Sequence, residues 1–221
     1  METLLHEFFN IEVIVRVFPL VLNGLGMTLL VCAAVIPLGL GGGLINALGM
    51  HSRWRLVRIP FILQVDFFRS VPPLVLLIFI YSGLPFIGIR LSPYAAVCVA
   101  FLLNTSAYYG EAYRAGLESI GAGQTEAARS TGLTKLQTTT AVVLPQAVRN
   151  VLPDLLSNTL EVVKATALAS VVGLPEMLYS ADMGRTVTQN SSPIVLAAVI
   201  YLLILWPLVR LVSRLEHRLG Q

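Results

Sequence analysis

Long apolar runs separated by short polar stretches dominate the chain. Five of these runs have about 20 residues or more, the length that a helix needs to cross the hydrocarbon core of a bilayer. They cover residues 20–47, 59–82, 93–115, 148–172 and 193–212. The third run is the most polar, because it contains residues such as Asn104, Ser106 and Glu111. The pattern predicts an all-α integral membrane protein with five transmembrane helices.

The N-terminal segment follows a different pattern. Apolar residues between positions 2 and 18 are mixed with charged and amide side chains, which is typical of a short amphipathic helix at a membrane interface. Glu2 and Glu7 stand where a secretory signal would carry positive charge. We therefore predict an amphipathic segment over residues 1–19, a transmembrane domain over 20–216 and a cytoplasmic tail over 217–221.

Composition supports a membrane protein that has no nucleotide site of its own. The 221 residues are 56% hydrophobic and 12% charged, whereas soluble domains carry about 25% charged residues. No Gly-x-x-x-x-Gly-Lys-Ser/Thr loop occurs, so we do not expect this chain to hydrolyse ATP. The glycines over 39–43 indicate close helix packing instead. Cys32 and Cys98 are expected to be packed thiols, with a disulfide or a metal pair as the alternative, and no cofactor is expected.

Positive charge is unevenly distributed between the two sides of the predicted membrane domain. The connections after the first and third runs, the tail and the adjoining ends of the runs, which include Arg114, Arg149 and Arg210, contain ten Lys or Arg residues, and the other side contains three. Because positive residues accumulate on the cytoplasmic side, the N-terminus is predicted outside and the C-terminus inside. The long polar connection over residues 118–147 then lies in the cytoplasm.

That connection has the residue types of an ordered helix. The segment from Gln124 to Arg129 consists mostly of helix formers, and Gly132 can end a helix. Ala128 and Gly132 are four residues apart, so on one helix they would share a face that a partner can approach closely. Glu126 and Arg129 would add fixed charges to that face. The alternative interpretation is a solvated loop between two spans.

Ionisable residues inside the second span indicate function or a buried ion pair. Asp66 and Arg69 are three residues apart and can pair on one helix face. Pro72 and Pro73 follow and leave backbone carbonyls without donors, and broken helices at the bilayer midplane often form transporter sites. The alternative is a packing kink that contains a structural ion pair.

Polar residues on the third and fourth spans extend this set. Asn158, Glu161 and Lys164 form one stripe with Thr166 nearby, and Asn104 is a candidate on the third span. An acidic and a basic group at fixed separation suit the ammonium and carboxylate of an amino acid. The stripe is equally compatible with a network that holds helices together. We interpret a second pair on the third span, between Glu111 and Arg114, as structural.

Four stretches carry a resemblance to a known family. The first reads GQTEAARSTGL, with LP twelve residues after Gly132, and resembles the EAA loop of permease subunits of binding-protein-dependent ABC importers. The others read DFFRSVPPLVLLIFIYSGLP over 66–85, YYGEAYRAGLESIGAGQ over 108–124 and PDLLSNTLEVVKATALASVVG over 153–173. They occur in the order found in the polar amino-acid branch, and the resemblance spans about residues 24–216.

This resemblance implies the type I ABC importer permease fold, in which a cytoplasmic coupling helix contacts an ATPase. The implied ATPase-coupling residues are Gly123, Glu126, Ala127, Ala128, Gly132, Leu144 and Pro145. The implied partners are two ABC ATPase subunits, a second copy or a sister permease, an extracytoplasmic solute-binding protein and membrane lipid, without nucleic acid. The implied location is the bacterial inner membrane.

The chain departs from the family pattern at expected cavity walls. Related permeases usually continue with Gly-Thr-Pro and then a Gln, whereas this chain has Ser70-Val71-Pro72 and Leu76. The usual Lys-Asp-Thr-Ser-Leu run is Lys164-Ala165-Thr166-Ala167-Leu168. These changes indicate a less polar ligand, or a subunit whose sister provides the full site.

The favoured function is therefore the permease subunit of an ABC importer for a polar amino acid or a related small solute such as an opine. The predicted solute pathway contains Asp66, Arg69, Pro72, Asn104, Asn158, Glu161, Lys164 and Thr166. One alternative is an ATP-independent carrier or channel. Another is a small intramembrane enzyme that uses Asp66, Glu111 or Glu161, although no paired histidine or metal cluster supports it.

Overall fold

The computed structural model describes residues 2–219 and the side chains of residues 4–215. Within that range the chain is helical and contains no strand, so the predicted all-α fold is confirmed. The α-helices are α1 (Glu2–Phe8), α2 (Ile11–Met50), α3 (Arg55–Ser70), α4 (Pro73–Ile78), α5 (Pro93–Ser119), α6 (Ala122–Ser130), α7 (Lys135–Gln137), α8 (Leu144–Ala165), α9 (Met177–Thr188) and α10 (Ser192–Leu219). Phe79–Gly83 and Thr138–Val143 are π-helical, and Leu84–Ile87 and Thr166–Val172 are 3-10 helices. The side chains of the predicted tail at 217–221 lie outside the described ones.

Several helices are long and apolar enough to cross a membrane. Among the described residues these are Leu4–Met50, Lys135–Val172 and Ser192–Leu215, and the interrupted pair of α3 and α4 makes a fourth if it counts as one span. Helix α5 has 27 residues, which is sufficient length, but its many polar side chains keep it outside this set. The predicted count of five spans therefore stays a prediction.

The N-terminal segment is divided differently from the expectation. Helix α1 ends at Phe8, and Asn10 caps the next helix by accepting hydrogen bonds from the Glu12 and Val13 N–H groups at 3.1 and 3.2 Å. An asparagine side chain at this position satisfies N–H donors that have no helical partner. The residues from Ile11 onward thus belong to the long α2 rather than to a separate interfacial helix.

The chain divides into two compact units with separate cores. The first unit contains the residues up to Ile36, Pro72–Phe101 and Leu160–Leu211, and the second contains Pro37–Val71, Leu102–Thr159 and the residues from Val212. In the first unit Val21, Met177, Ala181 and Ala197 form a buried cluster. In the second unit one buried cluster contains Tyr109, Ala112, Val151 and Leu155.

Close helix packing is confirmed at Gly39, Gly42 and Gly43, whereas Gly41 faces open space. A Cβ atom on Gly43 would lie 2.5 Å from the Tyr109 Cβ and 2.9 Å from the Gly110 nitrogen, and one on Gly39 would lie 2.7 Å from the Thr105 hydroxyl. Any side chain at Gly43 would force α2 and α5 apart, because the nearest atoms belong to the backbone and to a Cβ. The Asn46 amide donates to the Ser106 carbonyl at 3.1 Å and holds the same pair of helices together.

Candidate coupling surface and solute pathway

Helix α6 is the central element of the predicted coupling region. It runs from Ala122 to Ser130, and Gly132 follows in the left-handed conformation with φ of 88°. The Gly132 N–H donates to the Arg129 carbonyl at 3.1 Å, and the Arg129 guanidinium donates to the Leu133 carbonyl at 3.2 Å. A glycine just past the last turn is a common way for a helix to end, so the ordered helix with its glycine stop is confirmed.

A second short helix stabilises the turn that follows. Thr134 and Gln137 form a capping box, in which the Gln137 N–H donates to the Thr134 hydroxyl at 3.3 Å and the Thr134 N–H donates to the Gln137 side chain at 2.9 Å. Helix α6 packs against the π-helical segment Thr138–Val143. The region is therefore a folded module and not a solvated loop.

Most of the predicted coupling residues are exposed. Gly123, Glu126, Ala127, Gly132 and Pro145 are exposed, Leu144 is half-buried, and Ala128 is buried.

The expectation that Ala128 and Gly132 form one open helix face is wrong. Helix α6 ends at Ser130, before Gly132, and the Thr131 hydroxyl donates to the Ala128 carbonyl at 2.8 Å. Ala128 faces the interior of its own unit, so its small size serves internal packing. The surface open to a partner is defined by Glu126 and Ala127 on α6.

Leu136 is a surface residue that the sequence reasoning missed. It lies in α7 and is 73% exposed, although the surrounding residues are polar. A leucine in a polar segment is usually interpreted as a buried contact, and no local signal in the sequence indicated that Leu136 is exposed. An exposed apolar side chain next to a charged helix is a feature of protein-binding surfaces.

Replacing Gly132 tests the conformation of this module. We expect Gly132→Ala to increase amide hydrogen exchange over residues 122–137 roughly 5- to 30-fold, because a left-handed L-residue costs about 1–2 kcal/mol. The added Cβ itself would meet no atom within 4 Å. Gly123→Ala is the matched control, since its Cβ also meets open space without a positive φ, and a helix interior favours Ala over Gly. Equal exchange in both variants would contradict this account of the turn.

The second predicted span is interrupted as its two prolines indicate. Helix α3 ends at Ser70 and α4 begins at Pro73. Prolines at 72 and 73 cannot donate to the carbonyls of Phe68 and Arg69, four residues earlier. The Asn104 amide donates to the Phe68 carbonyl at 2.9 Å, and the Tyr108 hydroxyl donates to the Arg69 carbonyl at 3.4 Å. Side chains of α5 thus occupy the backbone carbonyls that the sequence analysis expected to be left without donors.

The predicted pairing of Asp66 with Arg69 is wrong. Among the described side chains, the ion-pair partner of Arg69 is Glu111, with 3.6 Å between Nη1 and Oε2. Glu111 also accepts two hydrogen bonds from Arg114, at 2.9 and 2.6 Å, which confirms that second pair. The Arg69 guanidinium also lies over the ring of Tyr108 on α5, 5.7 Å from the ring centre.

Asp66 nevertheless lines a small pocket with Arg69. The pocket has a volume of about 320 Å³ and is lined by Asp66, Arg69, Ser70 and Tyr108. Asp66 and Arg69 therefore face the same space, while Arg69 keeps its ion pair with Glu111.

The polar stripe on the fourth span is only partly open. Glu161 and Lys164 form an ion pair, and their side chains are 69% and 50% exposed. Asn158 is half-buried. Thr166 is fully buried and donates to the Val163 carbonyl at 2.7 Å. The residues available to a partner or solute from this stripe are therefore Glu161 and Lys164.

One position that departs from the family pattern is not on an open wall. Leu76, which stands where a Gln was expected, is 6% exposed within α4. Ala165 and Ala167, the departures in the Lys164-Ala165-Thr166-Ala167-Leu168 run, are half-buried. The change at position 76 affects packing within the first unit.

Glu176 is a buried carboxylate that the sequence reasoning did not single out. It caps α9 by accepting hydrogen bonds from the N–H groups of Leu178 and Tyr179 at 2.9 and 2.7 Å. The Tyr201 hydroxyl donates to it at 3.5 Å. Burial raises the pKa of the Glu176 carboxyl, and these hydrogen bonds oppose the rise. Its position before a short helix, where acidic N-caps are common, was the available signal.

No metal centre accompanies these groups in the part of the chain that the structure describes, where no cluster of three or more His, Cys, Asp or Glu side chains occurs. Cys32 and Cys98 are free thiols.

The long apolar helices and the folded segment over residues 122–143 are the features expected of an ABC importer permease. The chain belongs to the family described as binding-protein-dependent transport system inner membrane component, whose model matches residues 39–221. The fold is the type I importer permease fold, and the protein is a multi-pass inner-membrane subunit that is not itself an enzyme.

Individual relatives support the same assignment. A probable amino-acid ABC transporter permease protein, YckA, of Bacillus subtilis (strain 168) is 38% identical over 194 residues, which are 87% of this chain and 86% of that protein. The arginine transport system permease protein ArtQ of the same organism is 33% identical over 207 residues, 91% of this chain and 93% of that protein. A crystal structure of an amino acid ABC transporter with histidines aligns with a TM-score of 0.85 and 33% identity, covering 93% of this chain and 96% of that one.

Proposed function

We propose that this permease imports a polar amino acid or a related small solute, such as an opine, with energy from ATP hydrolysed on separate subunits. The observation that carries the proposal is the folded coupling module, in which α6 is packed on its own chain and presents Glu126 and Ala127 outward. A carrier or channel that works without an ATPase has no need for such a module. The amino-acid transport names of the relatives support the solute class.

The proposed complex contains two permeases and two ATPases. The second permease is another copy of this chain or a sister, and each coupling module contacts one ATPase. A solute-binding protein delivers the ligand on the extracytoplasmic side. Leu136 would add an apolar anchor beside the charge of Glu126, since interface centres favour apolar side chains with charges at fixed positions.

The proposed pathway includes the exposed pair of Glu161 and Lys164. A charged side chain that faces lipid at the centre of a helix costs about 2.5–3.5 kcal/mol on insertion scales. An exposed ion pair on a spanning helix is therefore better placed against a water-filled pathway or the second permease. Glu161 would attract the ammonium group of the ligand and Lys164 its carboxylate.

Asp66 and Arg69 offer a second polar contact for the same class of solute. Their pocket of about 320 Å³ lies at the low end of the range typical of small-molecule sites. Asn104 and Tyr108 occupy the freed backbone carbonyls. The proposed acceptors for the ammonium group are therefore the carboxylates of Glu161 and Asp66. In this proposal Asn104, Asn158, Pro72 and Thr166 shape the pathway and do not bind the ligand.

The proposed orientation places the N-terminus outside and α6 in the cytoplasm, from the ten-to-three distribution of positive residues. In a background with Cys32→Ala and Cys98→Ala, we expect an impermeant thiol reagent to label Thr186→Cys but not Ala141→Cys in intact cells. Both positions are exposed, and Ala141→Cys should react after the cells are opened. Labelling of Ala141→Cys from outside would show that the proposed orientation is wrong. The coupling module would then lie on the side of the membrane opposite to the ATPase.

The direct test of the proposed function is ATP-dependent uptake of a labelled amino acid into vesicles that contain the complete complex. Equilibration without ATP would favour the carrier or channel alternative. Turnover of the solute by the purified chain would favour the intramembrane enzyme.

A further inference from the structure

An apolar groove runs along the first unit between one face of α2 and one face of α9. Helix α9 contributes Tyr179, Met183 and Val187, which are four residues apart in turn and so share a face. Two adjoining depressions of about 340 and 360 Å³ make up the groove. They share the lining residues Leu20, Pro175 and Ser180.

The side chains of the groove are not covered by other parts of the chain. Met183 is 45% and Val187 is 70% exposed, and Leu30 on α2 is 52% exposed. Exposed apolar side chains on a single face of a spanning helix are ordinary in a bilayer. A concave surface lined by two helices contacts a chain-like apolar molecule on more than one side, and so binds it better than a flat helix face does. The groove therefore favours a flexible apolar ligand.

Arg16 gives one end of the groove a positive charge. It lines the same depression as Val187 and Tyr179, and its guanidinium has no ion-pair or hydrogen-bond partner among the described residues. Glu12 is a nearby acidic residue on the same helix. It is exposed and does not pair with Arg16. An unpaired cation at the mouth of an apolar groove is complementary to a molecule with an anionic head and an apolar tail.

The length of the groove matches one leaflet of a bilayer. Arg16 and Leu30 are 14 residues apart, about 21 Å along an α-helix. One leaflet contributes about 15 Å of hydrocarbon, so a charge at Arg16 lies at headgroup level when Leu30 lies near the midplane. Arginine at helix ends commonly reaches the headgroup region in this way.

We propose that the groove between α2 and α9 binds one acyl chain of an anionic phospholipid whose phosphate pairs with Arg16. Leu20, Met27 and Leu30 pack against the chain from α2, and Met183 and Val187 pack against it from α9. The bound lipid would fill the space beside α9 and fix this short helix against α2. This site is separate from the proposed solute pathway and does not depend on which solute is carried.

The complete complex is first placed in nanodiscs that contain equal amounts of phosphatidylglycerol and phosphatidylethanolamine. The test measures which phospholipids stay bound when the complex is purified from these nanodiscs. For Arg16→Gln we expect the retained ratio of phosphatidylglycerol to phosphatidylethanolamine to fall about fivefold, the effect of one arginine near a membrane surface. Arg90→Gln is the matched control, since Arg90 is exposed in the same unit and lies outside the groove. It should leave the ratio unchanged.

Filling the groove provides a second, independent variant. Gly26 lines the groove, and a Cβ there would meet no atom within 4 Å, so Gly26→Leu occupies the space without a clash. We expect it to lower the total lipid retained per complex, whereas Gly41→Leu, at another exposed glycine of α2 with open space, should not.

Three results would overturn the proposal. One is unchanged lipid retention in both variants. Another is an equal loss in a variant and its control, which would indicate adventitious lipid only. The third is failure of Gly26→Leu to assemble with the second permease, which would show that the groove seats a protein helix.

Discussion

Reversing the charge of Glu126 is expected to lower ATP-driven uptake at least about 30-fold while membrane insertion stays normal. Glu126 is exposed on α6, so its carboxylate is free to pair with a cation of the ATPase. Losing one partner of a desolvated charge pair costs about 2–5 kcal/mol, and the lower value corresponds to roughly 30-fold. Glu126→Lys adds repulsion to that loss. Uptake and the amount of ATPase that copurifies with the permease are the two measurements.

Two further variants separate docking from general effects of charge. Glu126→Gln removes the charge without repulsion and should give a smaller loss in the same direction. Arg149→Glu reverses an exposed charge on α8, outside α6, and should leave uptake close to that of the native chain. Normal uptake and normal ATPase retention in Glu126→Lys would remove α6 from the coupling mechanism.

Truncating Glu161 is expected to abolish most of the stimulation of ATP hydrolysis by ligand-loaded solute-binding protein, with little change in basal hydrolysis. The reason is that a buried ligand ammonium group left without its carboxylate loses roughly 2–5 kcal/mol of binding free energy. This loss lowers the affinity for the ligand about 30-fold or more. Lys164 would also lose its ion-pair partner and would then repel the ammonium group. Hydrolysis by the assembled complex is measured with and without the loaded binding protein.

Asp182→Ala is the matched control for Glu161→Ala. Asp182 pairs with Arg185 at 2.7 Å on α9, with the same three-residue spacing and with side chains 54% and 51% exposed. Loss of an exposed pair of this kind costs little stability, so Asp182→Ala should preserve the stimulation. If Glu161→Ala assembles and keeps native stimulation, the solute site lies elsewhere, with a sister subunit as the next candidate.

Local signals in the sequence were sufficient for the features that depend on neighbouring residues. The break before Pro73 followed from Pro72 and Pro73, and the stop of α6 followed from Gly132. Close packing at Gly43 followed from the rule that small residues mark helix contacts in membranes. The pair of Glu111 and Arg114, three residues apart, was also evident. Each of these features is fixed by the chemistry of one short segment.

Features that depend on distant residues could not be obtained in this way. Asn104 reaches a carbonyl 36 residues earlier in the chain, and no local pattern indicates which acceptor it will use. Arg69 could pair with the nearby Asp66 on α3 or with Glu111 on α5. The packing of α3 against α5 places it next to Glu111. The direction in which Ala128 faces depends on the π-helical segment packed against α6.

The most direct test of the central claim is uptake of a labelled amino acid by proteoliposomes that contain this permease, its partner permease, the ATPase and the solute-binding protein. The account predicts accumulation above the external concentration only when ATP is present on the side of α6. It also predicts no accumulation when the ATPase binds ATP but cannot hydrolyse it. Accumulation with the inactive ATPase, or equilibration by the permease alone, would contradict the account.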